Sequence, residues 1–91
     1  MSVRVIFDED ARGDLKRMDR NERAMFVNHA EKLAGIGPRR HLRRGLDAYV
    51  DNVDKDGRMP YKWDDDGVTL RILRCFTDHK EYDRWYKSYK K

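Results

Sequence analysis

An arginine, a histidine and a tyrosine pose the chemical question in this sequence. Arg58 follows the glycine of "DKDGRMPYKW", and His79 and Tyr82 stand one helical turn apart in "DHKEYDRW". An imidazole exchanges protons near neutral pH, a guanidinium stabilises developing phosphate charge, and a phenol ring stacks on a base. Metal-free cleavage of RNA needs little more: a base for the 2′-hydroxyl, a cation for the charged phosphorane and an acid for the leaving oxygen. Arg74 and Lys80 are further cations beside this set, and "RRHLRR" supplies Arg39, Arg40, Arg43 and Arg44 as either a phosphate track or a solvated loop. Blander roles exist for each. Tyr82 shares a helical face with Trp85, Tyr86 and Tyr89 and can be a core residue, while His79 can simply pack or cap at the helix start. Arg71 and Arg74 differ in pleat parity, so they point to opposite faces of a strand, and Arg74, nearer its end, is expected to face the site.

Metal chemistry finds less support. From Asn52, the run "NVDKDG" imitates the first half of a calcium loop, but the twelfth position, where a bidentate acid must close the sphere, is Trp63. Both flanks read as strands where such a loop needs helices. The acids of "DDDG" (Asp64–Gly67) read as a solvated turn, and one cysteine with three scattered histidines gives no zinc spacing. No metal and no cofactor are expected.

These side chains need a frame. Of the 91 residues, 42% are charged and 38% hydrophobic, so the apolar ones must gather on a few faces, and one modest core in a single domain (1–91) is the expectation. The net charge of +4 suits a polyanion or an acidic protein partner as well as a merely soluble basic surface. Cys75 is the lone cysteine, so no intramolecular disulfide forms. No signal-like or membrane-length apolar run is present, and a reducing cytoplasm without membrane contact is expected.

The apolar spacing predicts the elements. "SVRVIF" alternates as a strand, with Val3, Val5 and Phe7 on one face. Asp8 then reads as an N-cap for a helix carrying Ala11, Leu15 and Met18. Asn21 reads as the cap of a second helix with Phe26, Val27, Ala30, Leu33 and Ala34, ending near Gly35. The two form an αα-hairpin. After the basic loop Pro38–Gly45 the period turns strand-like over Leu46–Val53, Arg58–Asp64 and Val68–Phe76, separated by Asp-Gly turns in which Gly57 permits the first bend. From Asp78, an N-cap, aromatic residues recur at helical spacing. The fold class is therefore α+β, ordered β-α-α-β-β-β-α, with a helical hairpin and a C-terminal helix on a mainly antiparallel four-stranded sheet. Antiparallel pairing would set Arg58 beside Arg74–Asp78 and the first turn of the last helix.

With that order, the stretches "FDEDARGDLKRM", "GRMPYKWDDDGVTLRIL" and "LRCFTDHKEYDRW" make the chain resemble the RelE/ParE toxin superfamily over nearly its whole length. The resemblance implies a toxin of a toxin–antitoxin pair. In the ribosome-dependent mRNA endonucleases of that family, a strand-start arginine, a basic residue near the last strand's end and a closing Tyr or His act on mRNA in the decoding site. Arg58 matches the arginine, His79 the acid or base position and Tyr82 the closing tyrosine, with Lys80 a secondary phosphate contact. The implied partners are mRNA, the ribosome and an antitoxin whose acidic segment would cover the sheet and the basic cleft. Three departures stand out. "YVDNVD" lacks the lysines some members carry on the second strand, Pro60 interrupts a strand expected to be paired, and the last helix is unusually aromatic. The same resemblance therefore also accommodates a ParE-like, non-enzymatic inhibitor of DNA gyrase, or a catalytically silent member that binds RNA or protein.

Overall fold

A computed structural model of the chain describes residues 3–36 and 48–89. The elements are β1 (Arg4–Phe7), α1 (Glu9–Lys16), α2 (Arg20–Ile36), β2 (Tyr49–Val53), β3 (Gly57–Trp63), β4 (Thr69–Ile72) and α3 (His79–Tyr89). This is the expected β-α-α-β-β-β-α order. The sheet runs β1-β4-β3-β2, with β2–β3 and β3–β4 antiparallel and β1–β4 parallel. The basic loop Pro38–Gly45 and the start of the strand expected at Leu46 lie outside the described residues.

Strand alternation sorts the side chains into two faces. Val5, Phe7, Met59, Tyr61, Trp63, Leu70 and Ile72 share one face by register, and they meet Ala11, Met18, Phe26 and Ala30 of the helical hairpin in the core. Arg58, Lys62 and Arg71 turn to the other side. The hairpin's joint is held by backbone capping. Arg23 donates from Nε to the Leu15 carbonyl (3.0 Å) and from Nη2 to that of Met18 (2.9 Å), adding to the turn bonds that close the end of α1.

One local reading needs correction at a helix start. The cap of α2 is Asp19 rather than Asn21: the Glu22 N–H donates to Asp19 Oδ1 (2.8 Å), and Glu22 Oε1 accepts from the Asp19 N–H (3.2 Å), a reciprocal capping box. Asp8 is the N-cap residue of α1, as expected, but its carboxylate is taken by Arg71 and makes no side-chain cap.

In the β2–β3 turn the left-handed residue is Asp54 (φ 60°), not Gly57. Gly57 is required for closeness: a Cβ there would lie 2.3 Å from the Val53 carbonyl oxygen and 3.3 Å from the Phe26 ring. At the next turn Gly67 does supply the positive φ (73°), and Asp66 closes the loop by accepting from the Val68 and Thr69 N–H groups and the Thr69 hydroxyl.

The last strand is shorter than its sequence pattern suggests, and Pro60 explains the difference. Pro60 is fully buried in β3, and its carbonyl accepts from the Leu73 N–H (2.9 Å). A strand residue's N–H and C=O point to the same neighbour in an antiparallel pair, so the donor missing from Pro60 is missing on the β4 side. There β4 leaves the ladder after Ile72, and pairing resumes at an Arg58–Phe76 bridge whose register is displaced by one residue. The proline sits at a bulge, where no donor is required.

Along this departing segment Asp14 of α1 makes its contacts. This carboxylate is 5% exposed and accepts from Arg17 Nη2 (2.6 Å), Arg74 Nε (2.8 Å), Arg74 Nη2 (2.9 Å) and the Cys75 N–H (2.9 Å). Asp14→Ala is expected to destabilise the chain by about 3–5 kcal/mol, because it strands a partly buried guanidinium and a buried N–H together. Urea unfolding checks this through a lower midpoint at an unchanged m-value. Gly57→Ala is expected to lower stability by at least about 1–3 kcal/mol, the usual range for a side chain forced into a filled space.

Candidate functional site

Arg58 opens β3, and its backbone pairs with Phe76 in both directions: Arg58 N–H to Phe76 O at 2.8 Å and Phe76 N–H to Arg58 O at 2.9 Å. Direct pairing puts the Phe76 side chain on Arg58's side of the sheet. Phe76 is buried there by Tyr82 and Trp85, whose ring centroids lie 6.2 and 5.9 Å from its own. The chain then turns through Asp78, which caps α3 by accepting from the Lys80 N–H (3.0 Å), as the sequence pattern predicts. The turn before β3 and the first turn of α3 are thereby set side by side. His79 Nδ1 lies 3.6 Å from Asp56 and 3.9 Å from Asp78, with its side chain 44% exposed.

The Arg58 guanidinium donates through Nη1 to the carbonyls of Gly57 (2.8 Å) and Lys55 (3.4 Å). Among the described residues it forms no ion pair with a carboxylate, so its charge is not neutralised. Its neighbours on the sheet differ. Arg71 is held between Asp64 (2.8 Å) and Asp8 (3.0 Å), which keeps it more firmly protonated than an ordinary arginine, Asp64 contributing most. Arg74, expected to face the site, is instead directed at Asp14 and lies with its Cζ 4.7 Å from the centre of the Phe76 ring. The physical reason is the bulge after Ile72, which swings Arg74 toward α1.

Tyr82 belongs to both environments that its sequence position suggests. Its ring is part of an aromatic row with Phe76, Trp85 and Tyr86, and it is also only half-buried. Burial, followed by the neighbouring Tyr86 and Asp83, pushes its phenol above the ordinary tyrosine value, while the Arg58 charge acts in the opposite sense. The shift favours the neutral phenol, and the ring lies within electrostatic reach of Arg58. Such a group is suited to stacking or to donating a hydrogen bond.

The structure therefore brings Arg58, His79 and Tyr82 together, with Lys80 exposed on the next position of α3. Arg39, Arg40, Arg43 and Arg44 lie outside the described residues. Two contributors escaped sequence reasoning. Asp56, in the turn before Gly57, is the carboxylate beside His79. Asp14 organises the segment that leads into α3, and a signal for it existed: it falls three residues after Ala11 and four before Met18, on the buried stripe of α1. Among the described residues no group of three or more His, Cys, Asp or Glu side chains converges as a metal ligand set, and no helix is long and apolar enough to cross a membrane.

Cys75 lies within this framework but is buried, and desolvation pushes its thiol up to about 12. It is expected to resist thiol reagents in the folded chain and to react once denaturant is added. A pH dependence also follows. Asp64 is held below the usual carboxylate range by Arg71, and Asp66 by the Thr69 hydroxyl and the Val68 N–H. A carboxylate with a depressed folded-state value stabilises fully above its unfolded value, about 4, and loses that contribution as pH falls through the folded value. The Tm difference between the natural chain and Asp64→Asn is therefore expected to be largest above about pH 5 and to shrink toward pH 2.

By sequence, no protein-family model and no curated protein matches the chain. Solved structures do match. The chain is 27% identical to one in the RelBE2 toxin–antitoxin complex of Mycobacterium tuberculosis, over 84% of this chain and 98% of that one, with a TM-score of 0.63. A mutant of the E. coli toxin RelE in the free state superimposes with a TM-score of 0.72 over 99% of this chain and 97% of that one, at 16% identity. The archaeal RelE–RelB complex of Pyrococcus horikoshii gives 0.64 at 18% identity, over 87% and 97%.

Proposed function

The chain has the fold of the RelE toxins, and on that premise we propose that it is the toxin of a toxin–antitoxin pair and a ribosome-dependent mRNA endonuclease. The observation that carries the catalytic part is the Arg58 guanidinium, without a carboxylate partner among the described residues, beside a half-exposed imidazole and a phenol on the same side of the sheet. Sheet arginines that serve the framework are paired with acids, as Arg71 and Arg74 are.

In this reading the message lies against the start of β3 and the first turns of α3. The Arg58 fork donates to the non-bridging oxygens of the scissile phosphate and gains most when the phosphorane carries its extra charge. His79 moves the proton, as base for the 2′-hydroxyl or as acid for the leaving 5′-oxygen, with Asp56 near enough to orient its ring. Tyr82 stacks on or orients the adjacent nucleotide. Lys80 is a secondary phosphate contact, and Arg74, already committed to Asp14, has a weaker share. The arginines at 39, 40, 43 and 44 add attraction for the polyanion. No step is assigned to a metal. The neutralising partner is an antitoxin with an acidic segment, a role that the toxin–antitoxin complexes among the structural neighbours support.

Primer extension on translating ribosomes tests this. The natural chain is expected to cut the message, and Arg58→Ala to lose about 100-fold or more of the rate, the usual loss for one transition-state donor. Intact message with the natural chain would sink the enzyme reading. One observation favours a second reading: β2 places Val50 and Asn52, not cations, on Arg58's side of the sheet. If the chain is a gyrase inhibitor, supercoiling stops while message stays intact.

A further inference from the structure

The helix that carries His79 and Tyr82 has a second, chemically different side. At about 100° per residue, Tyr82, Trp85, Tyr86 and Tyr89 fall together on α3, while Lys80, Arg84 and Lys87 recur at i, i+4 and i+7 on the opposite side. All three cations are exposed. Among the described residues none of them forms an ion pair of the kind that Arg17, Arg71 and Arg74 make, so all three charges are open to a ligand. The row has a second wall. Arg84 lines a cleft between α1 and α3, together with Ser88 and the edge of Trp85, and Arg17 faces them from the end of α1 with 70% of its side chain exposed. Two acids share the cleft, Asp14 beneath Arg17 and Arg74, to both of which it is paired, and Glu81 on α3, while Asp83 lies on the helix flank.

We propose that this back surface of α3, with Arg17 across the cleft, seats the phosphodiester backbone of a structured RNA, separate from the message strand bound at Arg58, with Lys80 at the margin between the two. The inference rests on the ribosome-dependent reading above and names a second RNA contact for it. Several features favour a nucleic-acid backbone over an acidic peptide. The cations repeat over about 10 Å of helix at about 1.5 Å per residue, so they meet a chain of anions rather than one carboxylate. A protein partner would need buried apolar anchors at the centre of its interface, and the large rings of α3 belong mostly to the other side. Exposed Arg and Lys without base-reading geometry is the arrangement that positions a protein on a backbone. Because α3 contributes no fully buried residue, a backbone contact behind it would also press Tyr82 and His79 toward the message.

Binding to purified 70S ribosomes carrying a synthetic message, measured by sedimentation across a potassium chloride series, tests the assignment. The comparison is the natural chain against Arg17→Gln/Arg84→Gln/Lys87→Gln. Each lost phosphate contact lowers the slope of log K against log salt by about 0.9, so the triple variant is expected to have a slope shallower by about 2.7. Its binding near 0.15 M salt is expected to be roughly 100-fold weaker. Because Arg17 also touches Asp14, Arg84→Gln/Lys87→Gln is measured alongside, with thermal melts to establish folding, and is expected to lose about two units of slope. Equal slopes for the folded variants and the natural chain would overturn the second contact while leaving mRNA cleavage standing. No ribosome binding by the natural chain would overturn both readings, and message cleavage by the natural chain, scored in the same samples, tells the two failures apart.

Discussion

One buried carboxylate fixes the course of the chain where it matters most. Asp14 gathers two guanidiniums and a backbone N–H, so α1 is tied to the stretch that leaves the sheet after β4. A desolvated carboxylate is tolerable only when its lone pairs are answered by donors, and here they are. The tie has geometric consequences beyond itself. Holding Arg74 and Cys75 sets the position of Phe76, Phe76 bridges Arg58, and the rings of α3 settle on Phe76. The candidate site is assembled at the far end of that series from residues that never touch Asp14.

The arginines of the sheet and its margins divide by what they face. Arg71 and Arg74 meet carboxylates from distant parts of the sequence and act as cross-links, while Arg23 closes the end of α1 through carbonyls. Arg58 meets carbonyls of its own turn, which hold the guanidinium without cancelling its charge. That distinction gives a basic surface local meaning: Arg71 and Arg74 are balanced by acids, while Arg58 at the start of β3 is held in place with its charge uncancelled among the described residues.

Period and turn chemistry made the frame legible. Alternation in "SVRVIF" and "VTLRIL", the Asp-Gly turns and the aromatic spacing after Asp78 each reported a local preference that packing did not override. The errors arose where two local signals competed or where a partner came from far away. Asp19 and Asn21 are both competent caps, and only the reciprocal bond with Glu22 decides between them. Gly57 looked like the residue of the bend because bends favour glycine, yet its need is set by Phe26 across the core. The side that Arg74 faces depends on a bulge opposite Pro60 and on an acid 60 residues away, neither of which sequence spacing encodes. Arg58, His79 and Tyr82 were recognisable as a group because antiparallel pairing alone predicts their proximity.

The parallel pairing of β1 with β4 gives the fold a temporal order. The first strand finds its sheet partner only after two helices and two other strands have been made, and the Asp8–Arg71 pair joins residues 63 apart. During synthesis β2 and β3 can form their hairpin early, but the sheet cannot close, nor α3 find its seat, until the last quarter of the chain has left the ribosome. An interrupted translation product would carry Arg58 without His79 and Tyr82, and a hairpin whose β3 edge is open. A chain with this topology brings its candidate site together late and all at once.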